Sequence, residues 1–168
     1  MRSIEDGVRA FHEKNGYPLD IPLAKHTREE SSNQCLELSS AVIELSRATR
    51  DNALIDQTQD DERLYRAHLM LEELGETIRA LGTLDEEELA DGLADLIYVV
   101  VGTAESFGIP LGHVVAEVHR SNMTKRKRVK QDPRMRDKGP NYTPPNIKQA
   151  IEAGRSLRGW THRLEEGQ

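Results

Sequence analysis

The sequence predicts an all-α fold, and three observations predict it. Apolar residues recur three and four apart along several long stretches, the period of one helix face. No stretch alternates apolar and polar residues between turn signals as a half-buried strand does. Aromatic residues make up 4% of the 168-residue chain and charged residues 31%, a balance that suits helices with one solvated face. The length suffices for one domain with a hydrophobic core. The chain is read as one domain, with its core over about 27–127 and a C-terminal arm over about 128–168.

The first helix is expected over Ile4–Lys14, with Ile4, Val8 and Phe11 on one face. Asn15-Gly16-Tyr17-Pro18 ends it, since glycine accepts the left-handed cap and proline cannot continue a helix. Leu19–Leu23 is a proline-flanked loop. A long helix is expected from about Thr27 to Arg50, with Thr27 as its cap and Glu30 three residues on. Leu36, Leu38, Val42, Ile43 and Leu45 form its apolar stripe, and Cys35 reads as a small core residue. Asp51–Asp61 is polar and reads as loop.

The next helix spans about Asp61–Leu81, on the periodicity of Leu64, Ala67, Leu71, Leu74 and Ile78, until Gly82-Thr83 breaks it. Another runs from about Asp85 to Phe107 and stops at Gly108-Ile109-Pro110. Only a few residues join these two helices, so they are expected to lie antiparallel. A last core helix covers about Leu111–Lys127, with Val114, Val115, Val118 and Met123 inward. Asp132-Pro133 and Gly139-Pro140-Asn141-Tyr142-Thr143-Pro144-Pro145 read as irregular chain. Ile147–Leu157 reads as a short terminal helix with Trp160 as an anchor. There is no repeat of domain scale and no low-complexity tract.

Two acidic clusters carry the chemistry. The first is Glu72-Glu73-Leu74-Gly75-Glu76, where Glu73 and Glu76 share a face and Glu72 lies a turn from Glu76. The second is Glu88-Leu89-Ala90-Asp91-Gly92-Leu93-Ala94-Asp95, whose three acids are spaced three and then four. If the antiparallel helices face each other with these stripes, five or six carboxylates converge. Such a cluster repels itself and must protonate or bind cations. Hard divalent cations take oxygen ligands, and Mg²⁺ bridges to substrate phosphates. The plain alternative is a solvated face. Glu86, Glu87 and Glu88 also suit the first turn of a helix, and Thr83-Leu84-Asp85-Glu86 and Asp85-Glu86-Glu87-Glu88 both fit a capping box. Asp91 and Asp95 resist that alternative, because they interrupt Leu89, Leu93, Leu96, Ile97 and Val100, and buried unpaired carboxylates are costly.

The net charge of −6 hides a split: residues 1–118 hold 24 acidic and 10 basic side chains, residues 119–168 hold 5 and 13. Metal on the acidic body and phosphate on the basic arm would use both; simple docking of the arm on the body is the alternative. Cys35 is the single cysteine, so no intrachain disulfide forms, and a cytoplasmic setting is expected. No run has the length of a membrane span and the N-terminus has no signal-peptide core.

These residues together resemble a family. Glu73-x-x-Glu76, followed by an acidic helix ending Asp95-Leu96-Ile97-Tyr98, resembles the MazG-like, all-α nucleoside triphosphate pyrophosphohydrolases, a superfamily that includes phosphoribosyl-ATP pyrophosphohydrolase and the dimeric dUTPases. Glu117-Val118-His119-Arg120-Ser121-Asn122-Met123-Thr124-Lys125 and Lys138-Gly139-Pro140-Asn141-Tyr142-Thr143-Pro144-Pro145 are similar to phage and bacterial MazG-like proteins. The resemblance covers roughly residues 61–147. It implies a four-helix-bundle core, usually completed by oligomerisation as a dimer or tetramer. It implies Mg²⁺, with Mn²⁺ as substitute and two or more ions per site, bound by ExxE and ExxD carboxylates. The implied reaction cleaves a nucleoside triphosphate between its α and β phosphates, giving the monophosphate and pyrophosphate.

Glu73 and Glu76 match ExxE, with Glu72 as an added neighbour. The second motif has two registers. If Asp95 is its aspartate, the glutamate slot holds Gly92; if Asp91 is, Glu88 fills the slot. The metal set is therefore read as Glu73, Glu76, Asp91 and Asp95, with Glu88 as an outer ligand. Glu72 or Glu73 would orient or deprotonate the attacking water. Asn122, Lys125, Lys138 and Tyr142 would meet the phosphates, whereas His119 reads as structural. The resemblance leans to (d)GTP, with phosphoribosyl-ATP or a pyrimidine deoxynucleotide (dUTP or dCTP) as alternatives. The competing class is a non-catalytic helical oligomer that grips nucleic acid through Arg120–Lys138. The acidic body and the lack of interleaved aromatics oppose it, so no stable nucleic-acid partner is expected.

Overall fold

The computed structural model describes residues 3–25, 28–55, 62–126 and 138–157. Among them are six α-helices, one short 3₁₀ turn at Leu23–Lys25 and no strand, so the fold is all-α with a helical bundle at its core. The helices are α1 (Ile4–Asn15), α2 (Glu29–Ile55), α3 (Glu62–Thr83), α4 (Glu86–Ser106), α5 (Leu111–Met123) and α6 (Ile147–Leu157). The chain forms two compact units, Pro22–Thr103 and Met1–Ile21 with Ala104–Gln168. The expected Thr27 cap, the loop residues 56–61, the basic run 127–137 and Trp160 lie outside the described residues.

In the unit Pro22–Thr103, α2 and α3 pack along most of their length. Their seam joins small and polar residues with part of the apolar stripe the periodicity suggests, Ile43 and Leu36 lying against glycines of α3. Ser39, Ser46, His68, Gly75 and Gly82 are buried, each seven residues from the next on its own helix, the repeat that keeps one seam facing a partner. Ser39 Oγ donates to the Gly75 carbonyl at 2.7 Å. A Cβ on Gly75 would stand 2.7 Å from Ile43 Cγ1, and one on Gly82 would stand 3.1 Å from Cys35 Cβ. The pairings 39 with 75 and 46 with 68 run in opposite directions, so the two helices are antiparallel. Leu36, Leu38 and Leu45, expected in the core, are instead 37%, 54% and 56% exposed. The glycines of α3 make room for only part of the stripe: Ile43 lies against Gly75, and Leu36, though partly exposed, has its Cγ 3.0 Å from where a Cβ on Gly82 would stand, while Leu38 and Leu45 are left to solvent.

Two boundaries differ from expectation. α2 continues five residues past Arg50, through Asp51 to Ile55, because polar residues on a solvated face do not stop a helix. Gly82 and Thr83 belong to α3, which ends with Leu84 in the left-handed region (φ 60°). The Asp85 amide donates back to the Ala80 carbonyl at 3.2 Å, a glycine-type terminus made without glycine. Asp85 then caps α4, its Oδ1 accepting from the Glu87 and Glu88 amides at 3.1 Å each. Asp85→Ala is expected to cost about 1 kcal/mol, read as a lower urea midpoint at unchanged slope.

In the other unit, α1 opens with a reciprocal Ser3/Asp6 capping box and closes on Gly16 at φ 71°. Lys14 Nζ donates to the Met123 carbonyl, tying α1 to the end of α5. α5 ends at Met123, four residues short of the expected Lys127. α6 starts at Ile147, with Asn146 Oδ1 accepting from the Gln149 amide at 3.2 Å. α6 packs on the start of α5 where Gly154 lies against Pro110 and His113, and Arg155 Nε donates to the Gly108 carbonyl at 3.1 Å.

Candidate active site

α3 and α4 come closest at one point. A Cβ on Gly92 would stand 2.9 Å from Thr77 Oγ1 and 3.2 Å from Thr77 Cα, so only glycine at 92 permits this approach. The acids flank the crossing. Glu73 and Glu76 lie four and one residues before Thr77 on α3; Asp91 and Asp95 lie one before and three after Gly92 on α4. Thr77 Oγ1 donates to the Glu73 carbonyl at 2.8 Å, which keeps the hydroxyl satisfied where it faces Gly92.

The electrostatics show which carboxylates share a field. Burial pushes the Glu73 carboxyl above the ordinary glutamate range, and the charges of Asp95, Glu76, Glu72 and Asp91 push it further the same way. Glu88 is not among them. Its Oε2 meets Arg79 Nη2 at 3.3 Å in an exposed ion pair. Glu72 has a partner of its own: its Oε2 lies 3.7 Å from Nε2 of the buried His68.

All five residues around the crossing offer carboxylate oxygens, the donors a hard divalent cation takes. A field that raises the pKa of Glu73 is one that a cation relieves. Among the described residues no group of three His, Cys, Asp or Glu side chains is placed to hold a metal ion. The donor type suits a divalent cation, whereas the placement of these side chains does not gather them around one.

The expected phosphate contacts lie in the other unit. Asn122 closes the α5 helix, its carbonyl accepting from the Lys125 amide at 3.0 Å. Together with His119 it borders a small groove of about 120 Å³, otherwise lined by Ile4, Val8, Phe11, Val115 and Val118. The Lys138 ammonium stands 5.1 Å from the centre of the Tyr142 ring, a cation–π distance.

The segment carrying Lys138 and Tyr142 is fastened to α5 by residues that the sequence reading quoted as motif, and in the case of Arg120 as a nucleic-acid contact, without giving them this role. Arg120 donates from Nε and Nη2 to both Glu117 oxygens at 2.8 Å. It also reaches Thr143 Oγ1 at 3.0 Å and the Pro144 carbonyl at 3.1 Å. Glu117 Oε1 accepts from the Asn146 amide at 2.7 Å, and Thr124 Oγ1 from the Thr143 amide at 2.9 Å. The Arg120 hydrogen bonds, and then the Asn146 amide, hold the Glu117 carboxyl down to about 2. A carboxylate with a depressed native pKa contributes fully above its unfolded value and is lost only as pH falls through the native one. The clamp therefore outlasts ordinary carboxylates on acidification. Glu117→Gln is expected to speed hydrogen exchange at the Thr143 and Asn146 amides several-fold at neutral pH, with α2 and α3 protection unchanged.

Residues 38–122, half of the chain, match the family described as phosphoribosyl-ATP pyrophosphohydrolase. The chain belongs to that family. It is thereby a member of the MazG-like, all-α nucleoside triphosphate pyrophosphohydrolase superfamily, and the class of activity is nucleotide pyrophosphohydrolysis. The matched span runs from α2 through α5 and contains both acidic clusters, the Thr77–Gly92 crossing and Asn122. No curated protein and no solved structure gives a significant match. Among the described residues no single helix is long and apolar enough to cross a membrane.

Three features of this site escaped sequence reasoning. Gly92 looked like a gap in a motif; its role is the close approach to Thr77. Arg79 is three residues after Glu76, one turn further along α3, and its pairing with Glu88 depends on how α4 returns along α3. His68 stands four residues before Glu72, a spacing that was visible as a helical pair.

Proposed function

We propose that the protein is a divalent-metal-dependent pyrophosphohydrolase that splits a nucleoside triphosphate between its α and β phosphates. The single observation that carries this reading is the family match over residues 38–122, which spans both acidic clusters on either side of the Thr77–Gly92 crossing. Glu73, Glu76, Asp91 and Asp95 are the residues that would hold Mg²⁺ or Mn²⁺. Bound there, the metal would supply a Lewis acid for the triphosphate oxygens. Glu72 or Glu73 accepts the proton of a water whose oxygen attacks the α phosphorus. The new P–O bond forms as the α–β bridging bond breaks, and its electron pair leaves with pyrophosphate. Asn122 and Lys125, with Lys138 and Tyr142, are proposed phosphate donors on their chemistry. Glu88 is an outer residue, held by Arg79.

The substrate is proposed to be a purine triphosphate, (d)GTP, with phosphoribosyl-ATP as the reading the family name favours. A homo-oligomer, dimer or tetramer, belongs to the same proposal. Among the described residues no leucine, isoleucine, valine, methionine or aromatic side chain is fully buried, while on α4 Leu93, Ile97, Tyr98 and Val101 are 46%, 63%, 81% and 43% exposed. A chain of this length ordinarily buries about 70% of its unfolded surface, so a second copy against α4 supplies what the single chain lacks. A cytoplasmic location, where triphosphates are found, completes the reading.

The test is pyrophosphate release from a panel of NTPs, dNTPs and phosphoribosyl-ATP with Mg²⁺ or Mn²⁺, using Asp91→Asn, Asp95→Asn and Glu88→Gln variants. Turnover of one nucleotide, lost in the two aspartate variants and kept within about threefold in Glu88→Gln, is the expected result. Loss in Glu88→Gln equal to that in Asp95→Asn would instead place the metal set one turn earlier on α4.

A further inference from the structure

A buried hydrogen-bonded pair that the proposed chemistry has not used lies behind Glu72. His68 is 7% and Ser46 2% exposed, both in the α2–α3 seam. Ser46 Oγ lies 2.7 Å from His68 Nδ1 and 3.2 Å from the His68 carbonyl oxygen. On the far edge of the ring Nε2 faces Glu72 Oε2 at 3.7 Å. A hydroxyl has one proton to give. If Ser46 gives it to Nδ1, the ring proton sits on Nε2. If Ser46 gives it to the carbonyl while Nδ1 donates to Ser46, a ring without a second proton would turn a lone pair against a carboxylate. Every arrangement that leaves no repulsive contact puts a proton on Nε2, aimed at Glu72.

Burying an imidazole and a hydroxyl at a helix seam is costly unless they are paired, and two alanines would suit so close a seam. The pairing ends on one of the two residues the mechanism offers as base. We propose that Ser46 and His68 are positioning residues that hold Glu72 by one oxygen, so that its other oxygen takes the proton of the attacking water and Glu72, not Glu73, is the general base. The arrangement follows a general rule of proton-transfer sites: the base is itself oriented by a further hydrogen-bonded group. Glu73, in the field of four carboxylates, is left for cation binding. This inference rests on the hydrolase reading above.

The test combines kinetics with a measurement that needs no turnover. In the wild-type protein, long-range ¹H–¹⁵N NMR of the His68 ring is expected to show Nε2 protonated, and Ser46→Ala to shift protons toward Nδ1. In steady-state assays, His68→Ala is expected to lower kcat ten- to a hundredfold with KM within twofold. His68→Gln, whose amide N–H falls near the place of Nε2–H, is expected to recover most of that loss. The His68→Ala/Glu72→Gln double variant is expected to be no slower than Glu72→Gln alone. An unprotonated Nε2, an unchanged kcat in folded His68→Ala, or additive losses in the double variant would each overturn the proposal. A wild-type protein that releases no pyrophosphate from any nucleotide fails the hydrolase reading itself, and takes the catalytic role of Glu72 with it, while the NMR result still stands as a fact about the ring. Should His68→Ala not fold, the His68→Gln kinetics and the Ser46→Ala spectrum decide.

Discussion

Glu73→Gln is expected to abolish pyrophosphate release, by at least about a thousandfold, and at the same time to make the metal-free protein harder to unfold. Both effects have one cause. Burial and the charges of Asp95, Glu76, Glu72 and Asp91 raise the native pKa of Glu73 above its unfolded value. The native state then binds the Glu73 proton more tightly than the unfolded chain does, so stability falls as pH rises through the window between those two values. Above that window the ionised carboxylate works against the fold, and a neutral amide of the same shape removes the repulsion. Glu73 is partly exposed, and solvent screens such repulsion, so the gain is below about 1 kcal/mol. The difference between variant and wild type should vanish below the ordinary glutamate pKa of about 4.3. Added Mg²⁺ should close it from the other side, because a cation that binds only the native wild-type site stabilises by mass action. Thermal unfolding of both proteins at pH 4 and pH 7.5, with and without Mg²⁺, checks the prediction. A solvated acidic face would give no stability difference and no magnesium dependence.

Gly92→Val carries the other large effect. The branched side chain must fit where even a Cβ would lie 2.9 Å from Thr77 Oγ1 and 3.2 Å from Thr77 Cα. The second contact is with backbone, which cannot swing away. Overpacking of this kind costs about 1–3 kcal/mol, and it separates α3 from α4 at the one point around which the four acids are arranged. A displacement near 1 Å in such a site costs roughly a hundredfold in rate. Gly102 is the control on the same helix. A Cβ there meets only the end of the Arg66 guanidinium, at 3.3 Å, so Gly102→Ala is expected to be neutral or to stabilise by up to about 1 kcal/mol through helix propensity, with kcat unchanged.

Most helices were legible in the sequence because their ends carry local signals. Gly16 and Pro18 stop α1, Pro110 separates α4 from α5, and Ile147–Leu157 is bounded as the periodicity predicts. The clusters themselves were legible too, since helical spacing alone puts Glu73 with Glu76 and Asp91 with Asp95. The packing was not. Periodicity finds large apolar residues, and here the α2–α3 seam mixes serine, glycine and histidine with Ile43 and Leu36, while Leu38 and Leu45 are exposed. Nothing in a single sequence distinguishes a stripe that faces a neighbouring helix from one that faces a second chain. Gly92 was misjudged for a related reason: a missing ligand and a close approach look alike until the opposing backbone is known. Glu88 was legible as an acid on the right helix, but its pairing with Arg79 depends on a contact nine residues away that spans a turn.

One measurement tests the central claim most directly: ³¹P NMR of wild-type protein incubated with Mg²⁺ and a nucleoside triphosphate from the panel. If the carboxylates at the Thr77–Gly92 crossing form the site, the products are the nucleoside monophosphate and pyrophosphate, and chelating the metal stops their appearance. A diphosphate with inorganic phosphate, or turnover indifferent to chelation, would contradict it.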